Sequence, residues 1–204
     1  MQITIDKKTG VFLAIIALLL ATIASLAINR GDRDGNGMDE NGMGGHMGHS
    51  STSANYTGAD IMFLQMMIPH HQQAVDISTL AMGKSKDAEL LALAKKIAAD
   101  QASEIITMKA WLKDAGASEE MGHSMDGMGG MLNDAELSAL KVERGSKFDI
   151  LWLKGMTGHH DGAIHMTQMI EDAQNSEIKA FGVKVIADQS AQIAQMKEML
   201  KRIS

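Results

Sequence analysis

Two short segments carry metal-ligating side chains at matched spacing. Met66 to Asp76 reads MMIPHHQQAVD and Met156 to Ala163 reads MTGHHDGA, so a histidine pair follows a methionine by three residues in each. Imidazole nitrogen and thioether sulfur are neutral donors of borderline to soft character. Together they suit copper, Cu(I) above all, with Ag(I) able to follow it. Calcium and magnesium want oxygen ligands and structural zinc usually takes cysteine, which this chain lacks. Such binding weakens below about pH 6.5, where free imidazole takes a proton. A methionine at helical spacing is most often core filler, the reading that suits Met62, Met169 and Met199 best. Two adjacent histidine pairs at matched positions are harder to assign to packing alone.

The elements that position these pairs come from an internal duplication. Aligning Asp60 with Asp149 matches Phe63 to Trp152, Met67 to Met156, His70 to His159, His71 to His160 and Ala74 to Ala163, an offset of 89 residues. After a one-residue deletion, Asp100-Gln101 aligns with Asp188-Gln189, Ile105 with Ile193, Met108 with Met196, Lys109 with Lys197 and Leu112 with Leu200. Each half reads as a helical hairpin. Thr57-x-x-Asp60 and Ser146-x-x-Asp149 are variants of the capping box, in which a hydroxyl accepts from an orphan amide at a helix start. Gly83 is expected to close the first helix and Ser85 to cap the second, with Gly116 after its last turn. Asn133 or Asp134 would cap a short connector, Ser146 would open the next long helix and Ser176 the last. Two hairpins with apolar stripes bury them best against each other, which predicts an all-α, four-helix bundle of approximate two-fold symmetry.

On a helical wheel with Met67 at zero, Phe63 falls near about −40°, Ala74 near −20°, His70 near −60° and His71 near +40°. Both imidazoles therefore flank the core-facing stripe, and the second repeat gives the same wheel. Packing of the two helices could gather up to four imidazoles and two thioethers. Pro69 should kink its helix and re-aim Met66, Met67 and the histidine pair; the alternative is that a separate helix begins at Pro69. Gly158, at the matching position, weakens the second helix more mildly. His165 stands opposite Asp76 in the repeat and is a further, unsymmetrical ligand candidate.

Around the bundle, composition sets the rest. The chain has 204 residues with 18 methionines, 8 histidines, one proline and a net charge of −6, and without a basic cluster it carries no electrostatic footprint for nucleic acid. Val11 to Ile28 holds no charge over 18 positions and follows Lys7 and Lys8. This predicts a transmembrane helix, with cleavage near Ser25-Leu26-Ala27 as the alternative, and places the remainder outside the cytoplasm. Residues 1–30 are thus an anchor or signal segment, and 31–56 a flexible Gly/Met/His-rich linker. The bundle runs over 57–204, as repeat 1 (57–116), a Met/His/Gly-rich loop (117–133) and repeat 2 (134–204). The linker holds MGGHMGHSS at Met43 to Ser51 and the loop MGHSMDGMGGM at Met121 to Met131, an alphabet suited to weak metal capture.

The pattern F-x-x-x-M-x-x-H-H-x-x-A, present as FLQMMIPHHQQA and as WLKGMTGHHDGA, resembles the signature of domain-of-unknown-function family 305, and QASEIITMKAWL at Gln101 to Leu112 resembles its second-helix motif. The resemblance implies a ferritin-like bundle outside the cytoplasm and a role in copper binding or resistance. Carried over by position, it points at Met67, His70, His71, Met156, His159 and His160, with Met108 and Met196 from the other helices. Trp152 replaces phenylalanine and Gln192 stands where the first half has Glu104, so the two halves need not be equivalent. The expected function is sequestration or transfer of Cu(I), with a copper exporter or another copper-carrying protein as partner, and no enzymatic activity. The rival readings are a copper-dependent oxidase and a metal-independent envelope interaction module. A di-iron oxidase would need Glu-x-x-His on core helices, and the match, Glu120 to His123, falls in the glycine-rich loop.

Overall fold

A computed structural model describes residues 55–120 and 129–203. Five helices follow in order: α1 (Gly58–Ala81), α2 (Ala88–Asp114), α3 (Asp134–Val142), α4 (Gly145–Met166) and α5 (Ser176–Ile203), with a 3-10 turn (Thr167–Ile170) between α4 and α5. Among the described residues there is no strand, and no helix is long and apolar enough to cross a membrane. The expected anchor, the linker with Met43 to Ser51, and residues 121–128 of the Met/His loop lie outside the described residues.

The helix ends show which local signals prevail. At α1 the capping box forms in full: Thr57 Oγ1 accepts from the Asp60 amide at 3.1 Å while Asp60 Oδ2 accepts from the Thr57 amide at 2.7 Å. Asn133 and Glu136 make the same reciprocal pair at α3. Gly116 takes φ +68° after α2, where the Ala117 amide reaches the Leu112 carbonyl at 2.9 Å. Three expected caps are corrected. Ser85 does not cap α2; its hydroxyl accepts from the Asp87 amide, and Asp87 becomes the cap by accepting from the Leu90 amide at 3.0 Å. A carboxylate there also meets the positive end of the helix dipole. Ser176 is the first residue of α5 rather than its cap, because Asn175 Oδ1 accepts from the amides of Glu177 at 2.9 Å and Ile178 at 3.2 Å. The second capping box, at Ser146 and Asp149, does not form. Arg144 precedes α4 without a side-chain cap, and Gly145 at φ +59°, a conformation cheap only for glycine, turns the chain and donates to the Lys84 carbonyl at 3.0 Å.

The expected pairing of hairpins is present: α1 packs most extensively on α2, α4 on α5, and α1 also on α4. Two apolar clusters fill the interior. One gathers Ala74, Ile77 and Ala81 from α1, Leu90 to Ile97 from α2, Phe148 to Met156 from α4, and Ile193 to Met199 from α5. The other gathers Phe63 to Ile68, Ile105 to Leu112, Ala163 to Met166 and Ile178 to Val185 from the same four helices. Every long helix therefore passes from one cluster to the other, and the order of passage makes α1 antiparallel to α2 and to α4, and α4 antiparallel to α5. The described residues form a helical bundle.

Candidate metal centre

Between the two apolar clusters lies a polar layer to which each long helix contributes at its midpoint. From α1 come His70 and His71, from α4 His159 and His160, from α2 Gln101 and Glu104, and from α5 Gln189 and Gln192. All four imidazoles are fully buried, and Gln101, Gln189 and Gln192 are buried with them. α1 continues through Pro69 as one helix, so no separate helix starts there. The missing proline amide leaves the Gln65 carbonyl without its helical partner, and the break acts within a continuous element.

The rings of His70 and His159 stack with centroids 3.8 Å apart and planes inclined by 37°. His71 lies 6.5 Å from His70, and His160 lies 6.2 Å from His159. Three of the four tautomers follow from their partners, since a carbonyl, a carboxylate and an amide oxygen can only accept. His159 Nε2 donates to the His70 carbonyl at 3.0 Å, His71 Nε2 to Glu104 Oε2 at 2.9 Å, and His160 Nε2 to Gln192 Oε1 at 2.6 Å. In its neutral form each of these three rings presents a bare Nδ1 lone pair. All three Nδ1 atoms are buried without a hydrogen-bond partner, as are both nitrogens of His70.

Electrostatics keep the lone pairs available. Burial, then repulsion from His71, lowers the pKa of His70 to about 3 against a small opposing effect of the Gly129 carbonyl. Burial lowers His160 to about 4 despite its bond to Gln192. Burial, followed by the neighbouring His70 and His160, drives His159 well below the ordinary imidazole value. Burial pushes the Glu104 carboxyl up, but hydrogen bonds from His71 and Lys184 outweigh it and hold the group below the usual range. At neutral pH the layer thus holds His70, His159 and His160 as neutral imidazoles beside the anionic Glu104 carboxylate. Metal binding needs deprotonated imidazole, and a buried polar atom left unpaired costs about 1–3 kcal/mol. Five orphaned imidazole nitrogens lie in one layer, and with one N–H on His70 the four neutral rings offer four lone pairs, which fits an ion that would accept them.

The remaining candidates are placed as follows. Met67 and Met108 lie fully buried in one apolar cluster, Met156 and Met196 fully buried in the other. The helix order sets each of them one turn from the polar layer, so the thioethers border it from opposite sides instead of meeting at one point. Met66 is half-buried against the cluster that contains Met67. His165 is exposed on the last turn of α4, and its repeat counterpart Asp76 is exposed on α1, hydrogen-bonded to Gln72. Among the described residues, no three His, Asp or Glu side chains converge on a common point. A metal held here would need the thioethers beside the histidines, or a rearrangement of the rings.

Sequence reasoning paired Gln101 with Gln189 and Glu104 with Gln192 in the repeat but did not anticipate that they complete the histidine layer. Gln101 and Gln189 leave amide atoms unpartnered, and with Glu104 and Gln192 they line a cavity of about 10 Å³, room for about one water. The signal was present, since Gln101 sits on the stripe of Ile105, Met108 and Leu112, and Gln189 repeats it. A strap, Gly129 to Leu132, was also missed. Gln73 clips it to α1 by accepting from the Leu132 amide at 2.8 Å and donating to the Leu132 carbonyl at 3.0 Å. Gly130, at φ +87°, and Gly129 press their backbones onto Gly158 and Gly162 of α4, beside the histidine pair.

Residues 60–200 match DUF305, a domain of unknown function. No curated protein sequence matches the chain. Among solved structures, a DUF305 protein from Streptomyces coelicolor is 29% identical, with 71% of this chain and 93% of that one covered at a TM-score of 0.67. A DUF305 fragment from Deinococcus radiodurans is 28% identical over 72% of this chain and 97% of its own, also at 0.67. CopM in its Cu(I)-bound form is 30% identical over 72% of this chain and 97% of its own, at a TM-score of 0.61; CopM is also known in Cu(II)-bound and Ag-bound forms. With the matched span covering both hairpins and both histidine pairs, the chain belongs to the DUF305 family.

Proposed function

We propose that this protein binds copper outside the cytoplasm and sequesters Cu(I) or hands it to another copper carrier. The observation that carries the reading is the set of five buried, unpartnered imidazole nitrogens contributed by two equivalent helix midpoints. The likeness to CopM, solved with Cu(I), Cu(II) and Ag, supports it. His70, His71, His159 and His160 would supply the nitrogen donors, and Met67, Met108, Met156 and Met196, bordering the layer, the thioethers. His165 and Met66 would act as outlying donors at most. The ion is cargo, and ligand exchange is the chemistry: donors from the layer displace the ion's previous ligands, and His70, His159 and His160 need release no proton to do so because burial already keeps them deprotonated. The uncharged span Val11 to Ile28 supports attachment to the membrane with the bundle on its outer side. A copper exporter is the kind of partner such a location would serve.

The test is competitive titration of the full-length protein with Cu(I) under reducing, oxygen-free conditions, beside a variant with His70, His71, His159 and His160 all replaced by alanine. Loss of the tight site in the variant supports the reading, and equal affinity in both refutes it. Stable Cu(I) in air-exposed complex separates a carrier from a cuprous oxidase, which would consume Cu(I) over many turnovers.

A further inference from the structure

The two-fold repeat breaks at one chemically decisive place. His71 Nε2 donates to Glu104 Oε2 at 2.9 Å, and His160 Nε2 donates to Gln192 Oε1 at 2.6 Å. The two acceptors occupy equivalent positions, each three residues after its buried glutamine. They are alike in shape and hydrogen-bonding role, yet differ by a full negative charge. Glu104 is well sheltered, its side chain 12% exposed. Its second oxygen accepts from Lys184 Nζ at 2.7 Å, and Lys184 shares its charge with Asp188 at 2.7 Å while remaining 54% exposed. Water and Asp188 thus dilute the cation, and the carboxylate stays directed at His71.

A carboxylate behind a ligating imidazole fixes the ring and raises its basicity as a donor; an amide fixes the ring but adds no charge. Neutral imidazoles and thioethers leave the second charge of a divalent ion uncompensated, so one buried carboxylate matters more to Cu(II) than to Cu(I) or Ag(I). We propose that Glu104 is a positioning residue that makes the histidine cluster unequal: the His71 end retains divalent copper, while the His160 end, backed by Gln192, does not discriminate in its favour. This deepens the copper reading and rests on it.

The experiment titrates the full-length protein with Cu(II), and with Cu(I) and Ag(I) without oxygen. Variants are Glu104→Gln, Gln192→Glu and the double swap, each also combined with His71→Ala or His160→Ala. The expected result is that Glu104→Gln weakens Cu(II) by about 10–100-fold and changes Cu(I) and Ag(I) far less. Each tenfold change in that ratio raises the reduction potential of bound copper by about 59 mV. In the wild type, His71→Ala is the more damaging to Cu(II); in the double swap, His160→Ala is. A merely structural Glu104 would lower all three affinities together, which overturns the proposal, as does equal Cu(II) loss from the two alanine variants of the wild type. Should Glu104→Gln fail to fold by circular dichroism, Gln192→Glu decides: a gain in Cu(II) affinity upholds the inference and no gain overturns it. A wild-type protein that binds no copper in any form refutes the copper reading itself, and this inference falls with it.

Discussion

Two glycines four residues apart on α4 should respond to the same substitution with opposite sign. Gly158 is exposed, and a Cβ placed there meets nothing within 4 Å. Replacing it by alanine removes only the helix penalty of glycine and should stabilise the protein by about 1 kcal/mol. Gly162 is buried, and a Cβ there would lie 2.1 Å from the Gly129 oxygen, 2.6 Å from the Gly129 carbonyl carbon and 2.8 Å from the Gly130 Cα. These are backbone atoms, so no side-chain rotation relieves the overlap and the strap must lift. Lifting forfeits the two Gln73–Leu132 hydrogen bonds, worth about 0.5–1.5 kcal/mol each, and the burial of Leu132, now 6% exposed, worth about 1.5–3 kcal/mol. With the propensity gain returned, Gly162→Ala should lose about 1.5–5 kcal/mol. Urea unfolding followed by circular dichroism reads both variants against the wild type, and the midpoint should rise for Gly158→Ala and fall for Gly162→Ala. A Gly162→Ala protein as stable as Gly158→Ala would show that the strap does not pack on α4 as described.

Apo-protein stability should depend on acid through the histidine layer. The folded-state pKa values of His70 and His160, about 3 and about 4, lie below the ordinary 6.5, so the unfolded chain takes up protons first. Their contribution is complete above about pH 6.5 and is lost as pH falls toward about 4 for His160 and about 3 for His70, at about 1.4 kcal/mol per pH unit for each. Urea midpoints at pH 7, 6 and 5 should show this slope, and the fourfold histidine variant should flatten it; the same slope in both would remove the histidines as its cause. At the helix starts, Asn175→Ala should destabilise by about 1 kcal/mol and Ser176→Ala by almost nothing. Thermal unfolding of the pair checks which residue caps α5.

The duplicated pattern made the hairpins, the core-facing stripe and the burial of all four imidazoles legible in the sequence, because period and repeat are one-dimensional properties. The caps were legible only in part. Ser85, Asp87, Asn175 and Ser176 all belong to the capping alphabet, and which of two candidates takes the orphan amide depends on the dihedrals of the turn before it. Met67 and Met156 were rightly placed in the interior, but one wheel cannot tell that antiparallel packing of α1 on α4 sends them to opposite sides of the histidines. The partners of His71 and His160 depend on register between helices far apart in sequence. Even so, Glu104 and Gln192 stood out beforehand as the position where the repeats disagree.

A bundle with an apolar cluster at each end and a polar layer at its waist gives up stability where it could have had a continuous core. Leucine at His70 and His159 would fill the same space without three of the five orphaned nitrogens. The cost falls on a single level, shared by all four long helices, and the lone pairs it exposes are neutral in the pH range where the fold is most stable. An ion that accepts them removes the desolvation penalty at the point where the two halves of the bundle meet, so binding and cohesion of the halves are coupled. The glycine strap lies over α4 beside the histidines, and the Glu104–Lys184–Asp188 chain joins α2 to α5 at the same level. Among the described residues the carboxylate that meets a histidine of the layer is Glu104, so its charge acts on one end of the cluster alone.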